Sequence, residues 1–378
     1  MNSHQAHQPR TLNGNLRTAL ISPFWITLLL LTGMVAIVIA SSGGDPLELA
    51  RLGTRFTQAD PNGTEGYDGQ FVYFIARDPR PAAVAPLLDA PAYRYQRILL
   101  PLLARFLSLG SESLLPWALA AAGVLSQAAG TWLVGRLLES WGVNRWYALV
   151  YGLWAGFVFA VRLDLPEPLA YALVAGAILS TRRGRPALGW VLYGLALFAK
   201  EVTILFVAAQ FLADLIQGRW RSVLGLGLAA LLPFALFQAW LWAIFGQPGI
   251  GSGGAMATSF EWIPYMGLWR IGAYSLVYLL AMLVVFGPAV VLPSVWGIQK
   301  AIRTLVAGER NVFVLALLLN ALVIAFLPFS TFRETGGLMR FTCGLVLSVL
   351  LFAGQYRVKR VLNYSLLWVV LNVFLLKS

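Results

Sequence analysis

Seven carboxylates, Asp45, Glu48, Asp60, Glu65, Asp68, Asp78 and Asp89, fall within residues 41–98, a polar segment that follows a strongly apolar run. A carboxylate beside an apolar phase can serve as a general base toward a hydroxyl group that comes within about 3 Å. Asp68 stands out because it opens the run GYDGQFVYFIARDP at 66–79, where Phe71, Phe74 and Ile75 recur at helical spacing and Pro79 ends the pattern. An acid there suits the positive end of a helix dipole, and a plain N-cap explains it equally well. Just downstream, YRYQRILLPLLARF at 93–106 sets Arg94 and Arg97 three residues apart, on one side of a helix start. Two guanidinium groups so placed can hold a phosphate through forked, charge-assisted bonds. They can also anchor a chain among lipid headgroups.

Three more polar insertions interrupt apolar sequence. VRLDLPEP at 161–168 contributes Arg162, Asp164 and Glu167. FAKEVT at 198–203 contributes Lys200 and Glu201, and STFRETGGLMRF at 330–341 contributes Arg333, Glu334 and Arg340. Charge at membrane depth costs at least a few kcal/mol, so such groups pair or line a polar cavity. Lys200 and Glu201 also read as an ordinary pair at a turn. A cavity at one boundary of the membrane would collect all of these insertions.

The elements that must position them are membrane helices. Hydrophobic residues make up 59 % of the 378 and charged residues 12 %, where soluble domains carry about 25 % charge. Apolar runs at 20–40, 114–138, 146–161, 166–180, 187–199, 202–216, 223–245, 271–296, 312–328, 338–354 and 361–376 predict an all-α polytopic bundle of about eleven spans. Residues 1–19 read as a polar tail before an uncleaved anchor, and 20–378 as one transmembrane domain with 41–98 as its first outer loop. Within that loop, DPLELARLGTRF and the 66–79 run are expected to form helices lying on the membrane surface. The runs flanking Lys200-Glu201 are short, which suggests a hairpin of tilted or re-entrant helices. The glycine-rich 246–260 loop is expected to be mobile.

With the N-terminus placed inside, fifteen of the 28 Lys and Arg residues fall on inner segments beside three acids, and the outer side balances, so the net charge of +12 sits on one face. This is the positive-inside pattern, and it accounts for the basicity without nucleic acid. The two histidines, His4 and His7, lie in the tail, which excludes histidine chemistry in the membrane body. One cysteine, Cys343, excludes an internal disulfide and a Cys-based metal site. The absence of a G-x-x-x-x-G-K-[ST] run argues against ATP-driven transport.

This organisation resembles the GT-C glycosyltransferases, integral membrane enzymes that take a sugar from a polyprenyl-phosphate or diphosphate carrier on the extracytoplasmic side. The architectural likeness covers nearly the whole chain, while the likeness in motif rests on GYDGQFVYFIARDP and YRYQRILLPLLA, which are similar to segments of bacterial, mannosyltransferase-like members. The resemblance implies a hexosyltransferase of the bacterial plasma membrane with a cytoplasmic N-terminus and an extracytoplasmic C-terminus. It gives Asp68 the role of base, and it places the donor phosphate against Arg97, Lys200, Arg333 and Arg340. Arg94, Asp60, Glu65, Asp164, Glu167 and Glu201 are secondary candidates. The paired-acid form of some members is absent, Glu65 being the nearest acid upstream, so a divalent metal is neither required nor excluded by the sequence. Implied partners are the polyprenyl-phosphate sugar, a glycan, lipid or protein acceptor, and membrane lipids. A lipid or sugar-lipid transporter or flippase would share the size and the outer arginines, and a non-catalytic polymer-assembly protein would tolerate neutralisation of Asp68.

Overall fold

A computed structural model describes residues 22–254 and 256–373. The polar tail, with His4, His7, Arg10 and Arg17, and the last residues of the final apolar run lie outside the described residues. The described residues form helices and no strand. Among the described residues, five helices are long and apolar enough to cross a membrane: Pro23–Ser41, Leu115–Ser140, Trp220–Phe245, Leu276–Val306 and Thr335–Gln355. Shorter apolar helices cover Pro186–Ala199 and Val312–Ala325. The Thr335–Gln355 helix is 89 % buried over its apolar window and sits at the centre, whereas Pro23–Ser41 and Trp220–Phe245 are 22 % buried and form the periphery.

Proline shapes two of the long helices. Pro233 and Pro293 cannot donate to the carbonyl four residues back, and the ring pushes that carbonyl aside. Each helix widens to a π-turn immediately upstream, at Gly227–Leu231 and at Gly287–Val291. In the second case the released carbonyl of Ala289 accepts from the indole Nε1 of buried Trp368 at 2.6 Å. The last described helices are tied to the bundle through this bond.

The loops sort into two ends. Gln217 donates to the Arg310 carbonyl at 2.9 Å, Asn311 to Tyr356 at 2.8 Å, and Arg357 to the Trp141 carbonyl at 2.8 Å. The Arg182 guanidinium lies 4.8 Å from the Trp141 ring. These contacts gather the basic turns at one end of the bundle. The Glu167–Arg182 helix runs from that end to the other, where Lys200 and Arg340 meet Glu167. The helices flanking Lys200 and Glu201 are Pro186–Ala199 and Ile204–Ile216, of 14 and 13 residues. At 1.5 Å per residue each is roughly 20 Å long, short of the hydrocarbon thickness of about 30 Å. They do not form the packed hairpin expected there: Pro186–Ala199 lies along Glu167–Arg182 and Ile204–Ile216 along Val312–Ala325.

The first polar loop departs from expectation. DPLELARLGTRF does not form one surface helix. It breaks into a 3-10 turn at Pro46–Leu49 and a single turn at Thr54–Thr57, with Arg51 in the left-handed region at φ 47° between them. The Gly69–Arg77 helix forms as the spacing predicts, but residues 69–76 are all buried. It packs against the Leu99–Leu107 and Leu115–Ser140 helices, so its second face is covered by protein and it does not lie on the bilayer. Gly69 lets the helix start close against Leu163, since a Cβ there would stand 2.2 Å from the Leu163 carbonyl oxygen.

Candidate functional site

Asp68 occupies the first position before the Gly69–Arg77 helix, yet its side chain makes no capping hydrogen bond and its backbone is already helical, φ −54° and ψ −27°. The N-cap explanation therefore fails. The carboxylate turns instead to two arginines from distant segments. Oδ1 lies 2.9 Å from Arg94 Nη1 and Oδ2 accepts from Arg340 Nη1 at 2.9 Å. Each arginine is held by a second acid. Arg94 donates to Asp89 through Nε at 2.7 Å and Nη2 at 2.9 Å, with its guanidinium 4.5 Å from the Phe71 ring. Arg340 donates through Nε to Glu167 Oε1 at 2.6 Å.

The network continues inward. Lys200 Nζ donates to the same Glu167 oxygen at 2.8 Å. Glu201, its neighbour in sequence, turns to Arg97, which donates at 2.8 and 2.5 Å. Lys200 and Glu201 are thus not paired with each other. Each bonds across to a distant segment, and both Lys200 and Glu167 are almost fully buried. Four cations, Arg94, Arg97, Lys200 and Arg340, meet four anions, Asp68, Asp89, Glu167 and Glu201. Buried charges survive only when paired in this way.

Above this network opens a cavity of about 890 Å³. Asp68, Arg94, Lys200 and Arg340 face it from the floor, with Tyr67, Arg333 and Glu334 at the wall. Arg97 does not reach it and lies behind, on a much smaller void beside Pro101 and Leu165. Arg94 and Arg97, which could have shared one ligand from one helix face, diverge to separate acids. Arg333 is exposed, rests 5.8 Å from the Phe329 ring and has no carboxylate partner among the described residues. The Tyr67 hydroxyl donates to Glu334. Burial pushes that hydroxyl upward in pKa, so it remains a donor.

The glycine-rich loop forms part of the wall. Gln238 accepts from the backbone N–H groups of Gly249 and Ile250 at 2.8 and 3.0 Å, and Thr258 bonds Ser330. Gly254 lies against the Arg94–Asp89 pair, where a Cβ would stand 2.9 Å from Arg94 Nη2. The loop is anchored at these points.

The remaining candidates fall outside the central network. Asp60 is exposed and caps its own turn by accepting from Asn62 N at 3.0 Å. Glu65 pairs with Arg55 at the rim of the cavity. Asp164 is buried away from the cavity with neither carboxylate oxygen hydrogen-bonded, and burial pushes its carboxyl well above the usual range. That state suits a neutral acid and not a base at neutral pH.

Asp89, Glu334, Tyr67 and Gly254 are the site residues that sequence reasoning did not select. Asp89 precedes Arg94 by five residues and was one acid among seven in its loop. Glu334 follows Arg333 directly, but nothing in its spacing pointed to Tyr67.

The electrostatics of Asp68 follow from its surroundings. Burial works to raise its pKa, but Arg94 and Arg340, with Arg97 farther off, outweigh it and hold the carboxyl well below the usual range. Its side chain is 28 % exposed, so solutes in the cavity can reach it. Both oxygens lie 2.9 Å from guanidinium nitrogens, whose positive charge opposes a divalent cation at this carboxylate. Among the described residues no three His, Cys, Asp or Glu side chains converge as a ligand set. Comparison with known proteins returns no matching family, no matching curated relative and no matching solved structure.

Proposed function

We propose that this is a membrane glycosyltransferase that moves a hexose from a polyprenyl-phosphate carrier to an acceptor hydroxyl. Transfer takes place in the cavity beside Asp68. The observation that carries the reading is a partly exposed carboxylate on the floor of a cavity that also presents Arg94, Lys200, Arg340 and the unpaired Arg333. A phosphate leaving group is already anionic and needs positive charge, not a general acid. The acceptor hydroxyl needs a base. One cavity supplies both.

In the reaction the acceptor oxygen attacks the anomeric carbon while Asp68 takes its proton. The bond from the anomeric carbon to the phosphate oxygen breaks, and the phosphate leaves with the electron pair toward the arginines. The configuration inverts in this single displacement. A carboxylate clamped by two arginines is a weak base, so the order of binding matters. The donor phosphate, first met by Arg333 at the rim, competes with Asp68 for Arg94 and Arg340. As those bonds pass to the phosphate, Asp68 regains basicity beside the sugar. Donor binding thereby prepares the base for the acceptor.

On this reading the chain crosses a bacterial plasma membrane about eleven times, with the basic end cytoplasmic and the cavity extracytoplasmic. The complete pairing of Asp68 also suits a transporter or an assembly protein that only holds a phosphate sugar. Asp68→Asn separates these readings, because it keeps shape and removes basicity. As a base, Asp68 contributes about 10²–10⁴-fold to transfer. Purified Asp68→Asn protein should therefore lose that factor with a labelled polyprenyl-phosphate sugar, while still binding the donor. Transfer close to wild type would exclude Asp68 as the base.

A further inference from the structure

The opposite, basic end of the bundle holds a second cavity, of about 880 Å³, between the ends of the Glu167–Arg182, Ile204–Ile216 and Trp220–Phe245 helices. We infer that it binds the headgroup of an anionic phospholipid. Its walls present Arg182, Arg219 and Arg221 beside Trp190, Trp220 and Phe313. One acid, Asp214, also borders it, but that carboxylate is already satisfied. It is 1 % exposed and accepts from Gln210 Nε2 at 3.0 Å, Arg219 Nε at 2.8 Å and Ser222 Oγ at 2.5 Å. Trp190 Nε1 reaches the same serine at 3.4 Å. A fixed floor results, in which Asp214 offsets Arg219.

Two positive charges remain. Arg182 and Arg221 are exposed and have no carboxylate partner among the described residues. Arg182 is braced by the Trp141 ring. Guanidinium groups so placed can take phosphate oxygens through forked bonds. A soluble phosphate would leave the apolar walls without a partner. Trp220, which lines the cavity, is exposed, as are Ile216 and Leu224 on the two helices that border it, an apolar surface suited to acyl chains. A ligand with a phosphate at one end and hydrocarbon at the other fits both halves. Basic pockets between helix ends at the inner membrane face are the expected places for such lipids. This inference concerns the other end of the molecule from Asp68 and stands independently of the sugar-transfer reading.

The test uses the purified full chain in neutral detergent, with thermal melting followed against added dioctanoyl phosphatidylglycerol. Dioctanoyl phosphatidylcholine and glycerol 3-phosphate are run in parallel. Phosphatidylglycerol should raise the melting temperature saturably, and neither control should match it. The double variant Arg182→Gln/Arg221→Gln should raise the half-saturating concentration about ten-fold or more. A control pair at the same end but outside the cavity, Arg303→Gln/Arg360→Gln, removes equal charge and should leave it within about two-fold. The inference is overturned if both pairs weaken binding alike, since diffuse surface charge is then sufficient. It is equally overturned if the cavity pair has no effect, if phosphatidylcholine acts as well, or if glycerol phosphate alone reproduces the shift.

Discussion

At the scale of single residues, the site is defined by two carboxylates, Asp68 and Glu167, that each answer two cations. Glu167 is the more committed of the two. One oxygen accepts from both Lys200 and Arg340, the other has no hydrogen-bond partner among the described residues, and the side chain is fully buried. Glu167→Gln keeps the shape but leaves two buried cations short of an anion. Breaking a buried pair on one side costs about 3–5 kcal/mol, and equilibrium unfolding in detergent should report a loss of that order. Asp68 has a pH signature of its own. Its folded pKa is depressed, so its contribution to stability is complete above the ordinary carboxylate value, about 4. That contribution declines as pH falls from there toward the folded value. The melting-temperature gap between wild type and Asp68→Asn should thus be constant from pH 7 to about 5 and shrink below about 4. A gap that instead closed between pH 7 and 5 would mean that the arginines do not hold Asp68 as described.

At the scale of elements, the sequence carried the helices well and their environment poorly. The Gly69–Arg77 helix was legible because Phe71, Phe74 and Ile75 share a face. Its burial was not, because the residues that cover its other face come from Leu99–Leu107 and Leu115–Ser140. The acids and bases of the site were visible as polar insertions in apolar sequence. Their pairing was not, since Asp68 meets Arg340 across 272 residues and Arg97 meets Glu201 across 104. The π-turns were also hidden, although their cause, a proline, was in plain view. That cause gives a test. Trp368→Phe removes the donor to the Ala289 carbonyl and leaves a buried acceptor unsatisfied, at a cost of about 1–3 kcal/mol. Pro293→Ala restores a backbone N–H four residues beyond Ala289. In the Pro293→Ala background the Trp368→Phe penalty should therefore fall by about half or more. Additive losses in this double-mutant cycle would show that the proline does not set the carbonyl free.

At the scale of the whole molecule, the helices separate two chemically different ends. One carries the ion-pair network and its cavity, and the other carries the basic turns linked through Trp141, Arg310 and Tyr356. The proposal that the basic end meets the cytoplasm rests on charge, because basic loops resist translocation. The chain itself makes the test simple. Its one cysteine, Cys343, is buried in the central helix and should stay silent toward a water-soluble maleimide. Single cysteines can then be introduced into the native background at exposed Glu112 and Arg183. Glu112 sits in the turn before the Leu115–Ser140 helix, and Arg183 in the basic turn after the Glu167–Arg182 helix. In intact cells Glu112→Cys should react with an impermeant reagent, while Arg183→Cys should react only after permeabilisation. The reversed pattern would place the Asp68 cavity on the cytoplasmic side, facing away from an extracytoplasmic lipid-borne sugar, and the proposed transfer would fall with it. Labelling of both positions from one side would contradict the separation of the two ends itself.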